Sequence, residues 1–190
     1  MFTKLLARFP DYTIDSKPTA ELLARYGALV PPEMLAVWQE YGFGTFRNGY
    51  LKVVNPDDFT DLVAETYQLV STSTATPPIV LFATAMGDLL IWEDGFLTRV
   101  DYRHGETEIV AQNLTLFFKN HADDFNPQQR LRWEPYPAAR AHLGEPAFDE
   151  CFGYVPLLAL GGPETVDHLE KVKLREHLYL ISQVTGVLER

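Results

Sequence analysis

The sequence is poor in cysteine and in long hydrophobic runs, and each shortage excludes a class of protein. Cys151 is the single cysteine among 190 residues, so an internal disulfide framework is excluded. No apolar run approaches the roughly 20 residues that a membrane-spanning helix needs. The N-terminal residues show neither a sustained apolar segment nor a small-residue cleavage site, so we expect no signal peptide. These features predict a reduced, cytoplasmic protein.

Basic residues are also scarce relative to acidic ones. The chain has 16 Lys and Arg against 26 Asp and Glu, a formal net charge of −10. Residues 1–125 carry 9 basic and 17 acidic side chains, whereas residues 126–190 carry 7 and 9. An acidic surface repels phosphates, which argues against binding of the nucleic-acid backbone. It favours encounter with a basic protein, although many proteins are acidic for solubility alone.

Hydrophobic residues make up 46% of the chain, which is enough for a substantial core, and their spacing divides the chain into helical and strand-like parts. The first 45 or so residues have helical spacing that proline and glycine interrupt, which predicts several helices there. Asn55 can cap a further helix that begins at Pro56. Four short β-rich runs separated by turn residues then predict an antiparallel meander. Their sequences are IVLFAT, DLLIWED, FLTRVDYR and TEIVAQ.

The last third of the chain has a different pattern. AARAHLGE is consistent with a short helix, and FDECFGYVPLLALGG indicates an irregular or extended apolar segment. From Pro163 onward, Val166, Leu169, Val172 and the later apolar residues follow helical spacing. The pattern therefore predicts one long amphipathic helix that starts at Pro163 and ends near Gly186.

The motifs of metal and phosphate sites are absent from the sequence. No two of the five histidines have the i, i+4 spacing of a helical zinc site, and neither HExxH nor CxxC occurs. The glycine pair in LALGGPE precedes a predicted helix, but it lacks a Walker lysine and the GxGxxG pattern. We therefore expect no metal and no cofactor.

Two features remain as candidates for chemistry. Cys151 could be a nucleophile, but its neighbours Asp149 and Glu150 would raise the pKa of its thiol, and free cysteines are usually buried. The other feature is a set of carboxylates, which lack a defined partner for acid–base catalysis and suit a charged surface. As a charge-based prediction, a binding surface would draw on Asp57, Asp58, Asp61, Glu65, Asp88, Glu93, Asp94, Glu106 and Glu108.

Three stretches of the sequence resemble a two-part bacterial family. They are WQEYGFGTFRNGYLKVVNPDDF (38–59), FATAMGDLLIWE (82–93) and the segment from Phe148 to Gly186. The chain is similar to proteins with a GAD-like N-terminal region followed by a Tdi-type C-terminal immunity domain. The Trp-x-x-Tyr-Gly-x-Gly pattern at Trp38 also resembles the SMI1/KNR4-like immunity superfamily.

The resemblance implies a non-catalytic protein that neutralises a cognate type VI secretion toxin, a basic DNase, by occluding its active site. It implies a GAD-like region at 1–125 and an immunity-family region at 126–190, which could pack as one unit. The expected fold is α+β, a mainly antiparallel sheet flanked by helices with a C-terminal helical region. A regulatory or scaffold protein of the same fold, and a thiol enzyme using Cys151, remain alternatives.

Overall fold

The structure is a computed structural model that describes residues 10–69, 77–122 and 131–190, without the side chains of 119–122. Its centre is a seven-stranded antiparallel sheet with the spatial order β1-β2-β3-β5-β6-β7-β8. The strands are β1 (Thr13–Ser16), β2 (Phe43–Phe46), β3 (Leu51–Val53), β5 (Ile79–Thr84), β6 (Leu89–Glu93), β7 (Phe96–Asp101) and β8 (Glu106–Ala111). The predicted α+β class is confirmed, and β5 to β8 form the predicted meander.

Within the ranges that the structure describes, six helices flank the sheet. They are α1 (Ala20–Tyr26), α2 (Pro32–Glu40), α3 (Thr60–Thr66), α4 (Leu114–Ala122), α5 (Tyr136–Leu143) and α6 (Leu174–Thr185). Two small additional sheets pair β9 (Glu150–Tyr154) with β10 (Leu169–Lys173) and β4 (Tyr67–Gln68) with β11 (Leu188–Glu189). The sequence therefore folds as helices on both faces of an antiparallel sheet.

Both faces of the sheet are buried, because successive side chains of a strand point to opposite sides. On β6, Leu90 joins a hydrophobic cluster with residues of α2, α4 and α5. Its neighbours Leu89 and Ile91 join a second cluster with residues of α3 and α6. The side chains of strand β9 also lie on both faces, with Phe152 in the first cluster and Cys151 in the second. The region after residue 126 thus completes the core on both faces of the sheet.

Several expected boundaries differ from the structure. The first 45 residues contain β1 and β2 as well as helices, and the polar loop expected at 71–78 lies largely outside the described residues. The prediction of one long helix from Pro163 is wrong. Residues 163–173 instead form a loop, a short 3-10 turn at Val166–His168 and strand β10. Their spacing fits a helix face, but the backbone of β10 pairs with β9, and this long-range pairing prevails over the local period. The helix does end before Gly186, as expected.

Candidate functional site

The segment from Asn55 to Thr66 presents a row of carboxylates to solvent. The Asn55 side chain accepts a hydrogen bond from Asp57 N at 3.1 Å, and Pro56 begins the 3-10 turn that leads into α3. Leu62 and Val63 of α3 are buried against the sheet, so the opposite side of the segment faces outward. Four acids lie on that side and are exposed; we call them the acidic face: Asp57, Asp58, Asp61 and Glu65.

Two members of the acidic face are bound by cations of the same chain. Asp57 pairs with Arg25 and accepts a hydrogen bond from the Tyr26 hydroxyl at 2.7 Å. Asp61 accepts two hydrogen bonds from Arg175 Nη2, at 2.8 and 2.7 Å. A backbone hydrogen bond from Leu62, together with Arg175, lowers the pKa of Asp61.

The other two members, Asp58 and Glu65, have no salt-bridge partner within the described ranges. Burial raises the pKa of Asp58, and the neighbouring charges of Asp57 and Asp61 act in the same direction, partly offset by Arg175. Like charges this close disfavour the ionised form of Asp58.

Helix α6 lies beside the acidic face and extends it. A groove of about 260 Å³ separates the 3-10 turn at Asp58 from the first turn of α6. We call it the polar groove, because Asp58, Asp149 and Glu176 line it together with Lys173 and Arg175. Lys173 Nζ contacts Asp149 at 2.6 Å, and Arg175 is held by Asp61. Both cations are therefore already paired with acids, and Asp58 and Glu176 line the groove without a salt bridge among the described residues.

A second groove, of about 390 Å³, shares Lys173 and Glu176 with the polar groove. We call it the apolar groove, because Val155, Leu157, Leu160 and Leu180 make up much of its wall. The two grooves together form a continuous surface around the junction of β10 and α6. That surface joins residues 54–59 with residues between 148 and 180.

The remaining predicted acids lie elsewhere, and two of them are buried. Asp88 is fully buried and accepts a hydrogen bond from Arg103 at 2.9 Å, so its prediction as a surface contact is wrong. Glu93 is also wrong as a surface contact, because it is 1% exposed and is held by the Tyr67 hydroxyl and by Arg190. Sequence could not reveal this, since Arg190 lies 97 residues away.

The last three predicted acids lie between β6 and β8, toward the edge of the sheet that β8 forms. Asp94 is half-buried in the turn before β7. On β8, Glu106 pairs with Arg132, and Glu108 pairs with Arg99 at 3.0 Å. The nine carboxylates therefore do not form one surface: four make the acidic face, and five are buried or lie near β6 to β8.

Cys151 lacks the surroundings of a reactive thiol. It is fully buried in strand β9, and burial raises the pKa of its thiol to about 12. The ring of His177 is packed over Gly153 in the same strand, where an added Cβ would lie 2.4 Å from Nε2. Desolvation lowers the pKa of His177. A thiolate nucleophile needs the opposite conditions, namely exposure and a depressed thiol pKa.

Lys52 of β3 is a buried cation that sequence inspection missed. Its ammonium group donates to the carbonyl oxygens of Ala147 at 2.7 Å and Phe148 at 3.0 Å, and also to that of Glu150. Burial lowers the pKa of Lys52 to about 8. The contacts tie the central sheet to the segment that leads into β9, so they place Asp149 at the edge of the polar groove.

Within the ranges that the structure describes, no three His, Cys, Asp or Glu side chains cluster as metal ligands. No helix in these ranges has the length and apolar character required to cross a membrane.

The apolar part of the surface was also missed, although the sequence carries a signal for it. The buried stripe of α6 includes Leu178 and Ile181, whereas Leu180 and Val184 fall outside it and are 54% and 45% exposed. Of these two, Leu180 lines the apolar groove, and its place outside the buried stripe is the signal in the sequence.

Comparison with known proteins gives two family matches that together span most of the chain. Residues 1–103 match the model of the GAD-like domain, and residues 111–185 match the model described as T6SS immunity protein Tdi1, C-terminal. The acidic face lies in the first match and α6 in the second. No curated protein matches the chain.

One solved structure is similar along nearly the full length. The crystal structure of Atu4351 from Agrobacterium tumefaciens aligns with a TM-score of 0.76 and 20% identity, covering 96% of this chain and 89% of that one. At this identity the likeness shows a shared fold.

Proposed function

This chain belongs to the GAD-like domain family, its C-terminal part indicates a type VI secretion immunity protein, and we propose that it neutralises a DNase toxin by covering the active site. An immunity protein acts by binding its cognate toxin. A toxin that cleaves DNA does its damage where the DNA is, so the proposed place of action is the cytoplasm.

The observation that supports a nuclease as partner is the acidic face beside α6. A DNase binds the phosphate backbone through cationic side chains. A row of exposed carboxylates can occupy those cations and exclude the substrate. Complementary fields of this kind also speed encounter, which is important for a protein that must intercept a toxin before DNA is cut.

The matched cations support the same assignment. Arg25, Lys173 and Arg175 each contact an acid of this chain, so they hold carboxylates in position instead of contributing free positive charge. Asp58, Glu65 and Glu176 stay exposed, with no salt-bridge partner in the described part of the chain. A surface organised in this way favours a basic partner over nucleic acid.

A growth experiment tests the proposal. The candidate toxin is the protein encoded beside this gene, expressed in a susceptible host with and without this chain. We expect growth to be restored and genomic DNA to stay intact when both proteins are made. Continued DNA fragmentation, with both proteins soluble, would remove the neighbouring protein as the cognate DNase.

A further inference from the structure

The apolar groove exposes several apolar side chains to solvent, and solubility does not explain why they are exposed there. Val155, Leu160 and Leu180 converge on it, and their exposed fractions are 41%, 64% and 54%. Scattered exposed apolar side chains are ordinary on proteins, but three that line one concave surface of about 390 Å³ mark an interaction site.

The turn that carries Leu160 is held in a fixed shape by its own backbone. Val155 N donates to His168 O at 2.8 Å, Leu160 N to Leu157 O at 2.9 Å, and Gly162 N to Leu157 O at 3.1 Å. A Cβ on Gly162 would lie 2.0 Å from the carbonyl oxygen of Pro156, so glycine is required there. This hydrogen-bonded turn presents Leu160 with a smaller loss of backbone conformational entropy on binding, which favours affinity.

The charges at the groove specify the kind of segment that fits. The titratable side chains that line it are Lys173, Glu176 and His177. Lys173 is matched by Asp149 at 2.6 Å, and desolvation lowers the pKa of His177, which favours its neutral form. Glu176 is left as an exposed carboxylate at the boundary with the polar groove. An apolar surface bordered by a carboxylate complements an apolar side chain followed by a basic one.

We propose that the apolar groove binds a segment of the cognate toxin in which an apolar anchor, set between Leu160 and Leu180, is flanked by basic residues that contact Glu176 and Asp58. This assignment rests on the proposed function. The apolar anchor would supply binding energy, and the carboxylates would supply orientation and association rate. The groove thus links the acidic face with α6 as one toxin-binding surface.

The test uses the full-length protein and a catalytically inactive form of the toxin encoded beside the gene. Binding is measured by calorimetry for the wild type, for Leu160→Glu with Leu180→Glu, and for the control Ile109→Glu. Ile109 is 42% exposed on β8, outside the groove, so it controls for the loss of an exposed apolar side chain. Circular dichroism and thermal unfolding confirm that each variant is folded.

We expect the double variant to bind roughly 100-fold more weakly, as for loss of a central hot spot, and the control to bind within about twofold of the wild type. Glu176→Lys should also weaken binding, more strongly at low salt than at high salt. Wild-type affinity in the double variant would overturn the groove assignment and leave the immunity function in place. If the wild type itself did not bind, the proposed pairing and the groove assignment would both fall.

Discussion

Arg175 of α6 binds both carboxylate oxygens of Asp61 in α3 through a single nitrogen, at 2.8 and 2.7 Å. The two residues are 114 positions apart and lie in the two different family matches. The contact lies where α6 packs against α3 in the shared hydrophobic cluster, so the proposed surface exists only when both parts of the chain are folded together.

The first prediction concerns that contact. Both side chains are substantially exposed, so water screens the ion pair, and Arg175→Ala should lower the free energy of unfolding by no more than about 1 kcal/mol. Urea denaturation measures this. A loss above about 2 kcal/mol would show that the pair stabilises the fold and does not merely orient the surface.

The second prediction separates the acidic face from the general charge of the protein. Asp58→Lys with Glu65→Lys should weaken toxin binding by tenfold or more, because neither acid has a salt-bridge partner among the described residues. Asp15→Lys with Asp167→Lys changes the net charge equally at two exposed acids outside the face and is the matched control. An equal loss of toxin affinity in both double variants would mean that net charge, and not the acidic face, controls binding.

The third prediction addresses Lys52. Lys52→Met removes the ammonium group and leaves three carbonyl oxygens without their donor, so we expect a loss of about 3 kcal/mol or more in unfolding free energy. Lys171→Met is the control, because Lys171 donates to Glu145 O at 3.0 Å in an exposed position. Equal stability of the two variants would contradict a structural role for the buried lysine.

The fourth prediction is a pH dependence at His104. Its ring contacts Asp101 at 2.8 Å, Glu164 at 2.9 Å and Arg132 at 2.8 Å. The hydrogen bond to Asp101 is the main cause that raises the pKa of His104. A raised pKa in the folded state means that the folded protein holds the proton more tightly than the unfolded chain. The resulting stabilisation is full below the unfolded pKa of about 6.5 and is lost as pH rises through the folded pKa.

His104→Gln should therefore be less stable than the wild type at pH 6, and the difference should shrink as pH rises above 7. Urea denaturation at several pH values measures it. A difference that grew with pH would have the opposite sign and would exclude a stabilising charged form of His104.

The fifth prediction concerns the thiol. Because Cys151 is fully buried and burial raises its pKa to about 12, a disulfide reagent should label the folded protein far more slowly than the urea-unfolded chain at pH 7.5. Rapid labelling of the folded protein would reopen the thiol-enzyme alternative.

The parts of the fold that sequence predicted well are those set by local pattern. The alternation and turn residues of the meander identified β5 to β8, and Asn55 was correctly predicted as a helix cap. The helix expected from Pro163 failed because Leu169 and Val172 fit a helical stripe as well as strand β10, which pairs with β9, whereas Val166 lies in the 3-10 turn before that strand. Local spacing cannot decide between the two when the partner strand lies elsewhere in the chain.

The surface was less predictable, for a related reason. The sequence does not distinguish an exposed carboxylate such as Asp58 from a buried one such as Glu93, which pairs with the distant Arg190. The apolar groove depends on Leu160 and Leu180 meeting in space, which requires the turn after β9 to fold back on α6. Long-range packing determines these features, and a single sequence contains no direct record of it.

The most direct measurement is a titration of the purified neighbouring-gene toxin with this protein during cleavage of plasmid DNA. Tight occlusion of an active site predicts that cleavage falls linearly and stops near one equivalent, while Asp58→Lys with Glu65→Lys needs a clear excess. Undiminished cleavage at a large molar excess of folded wild-type protein would contradict direct inhibition of that DNase.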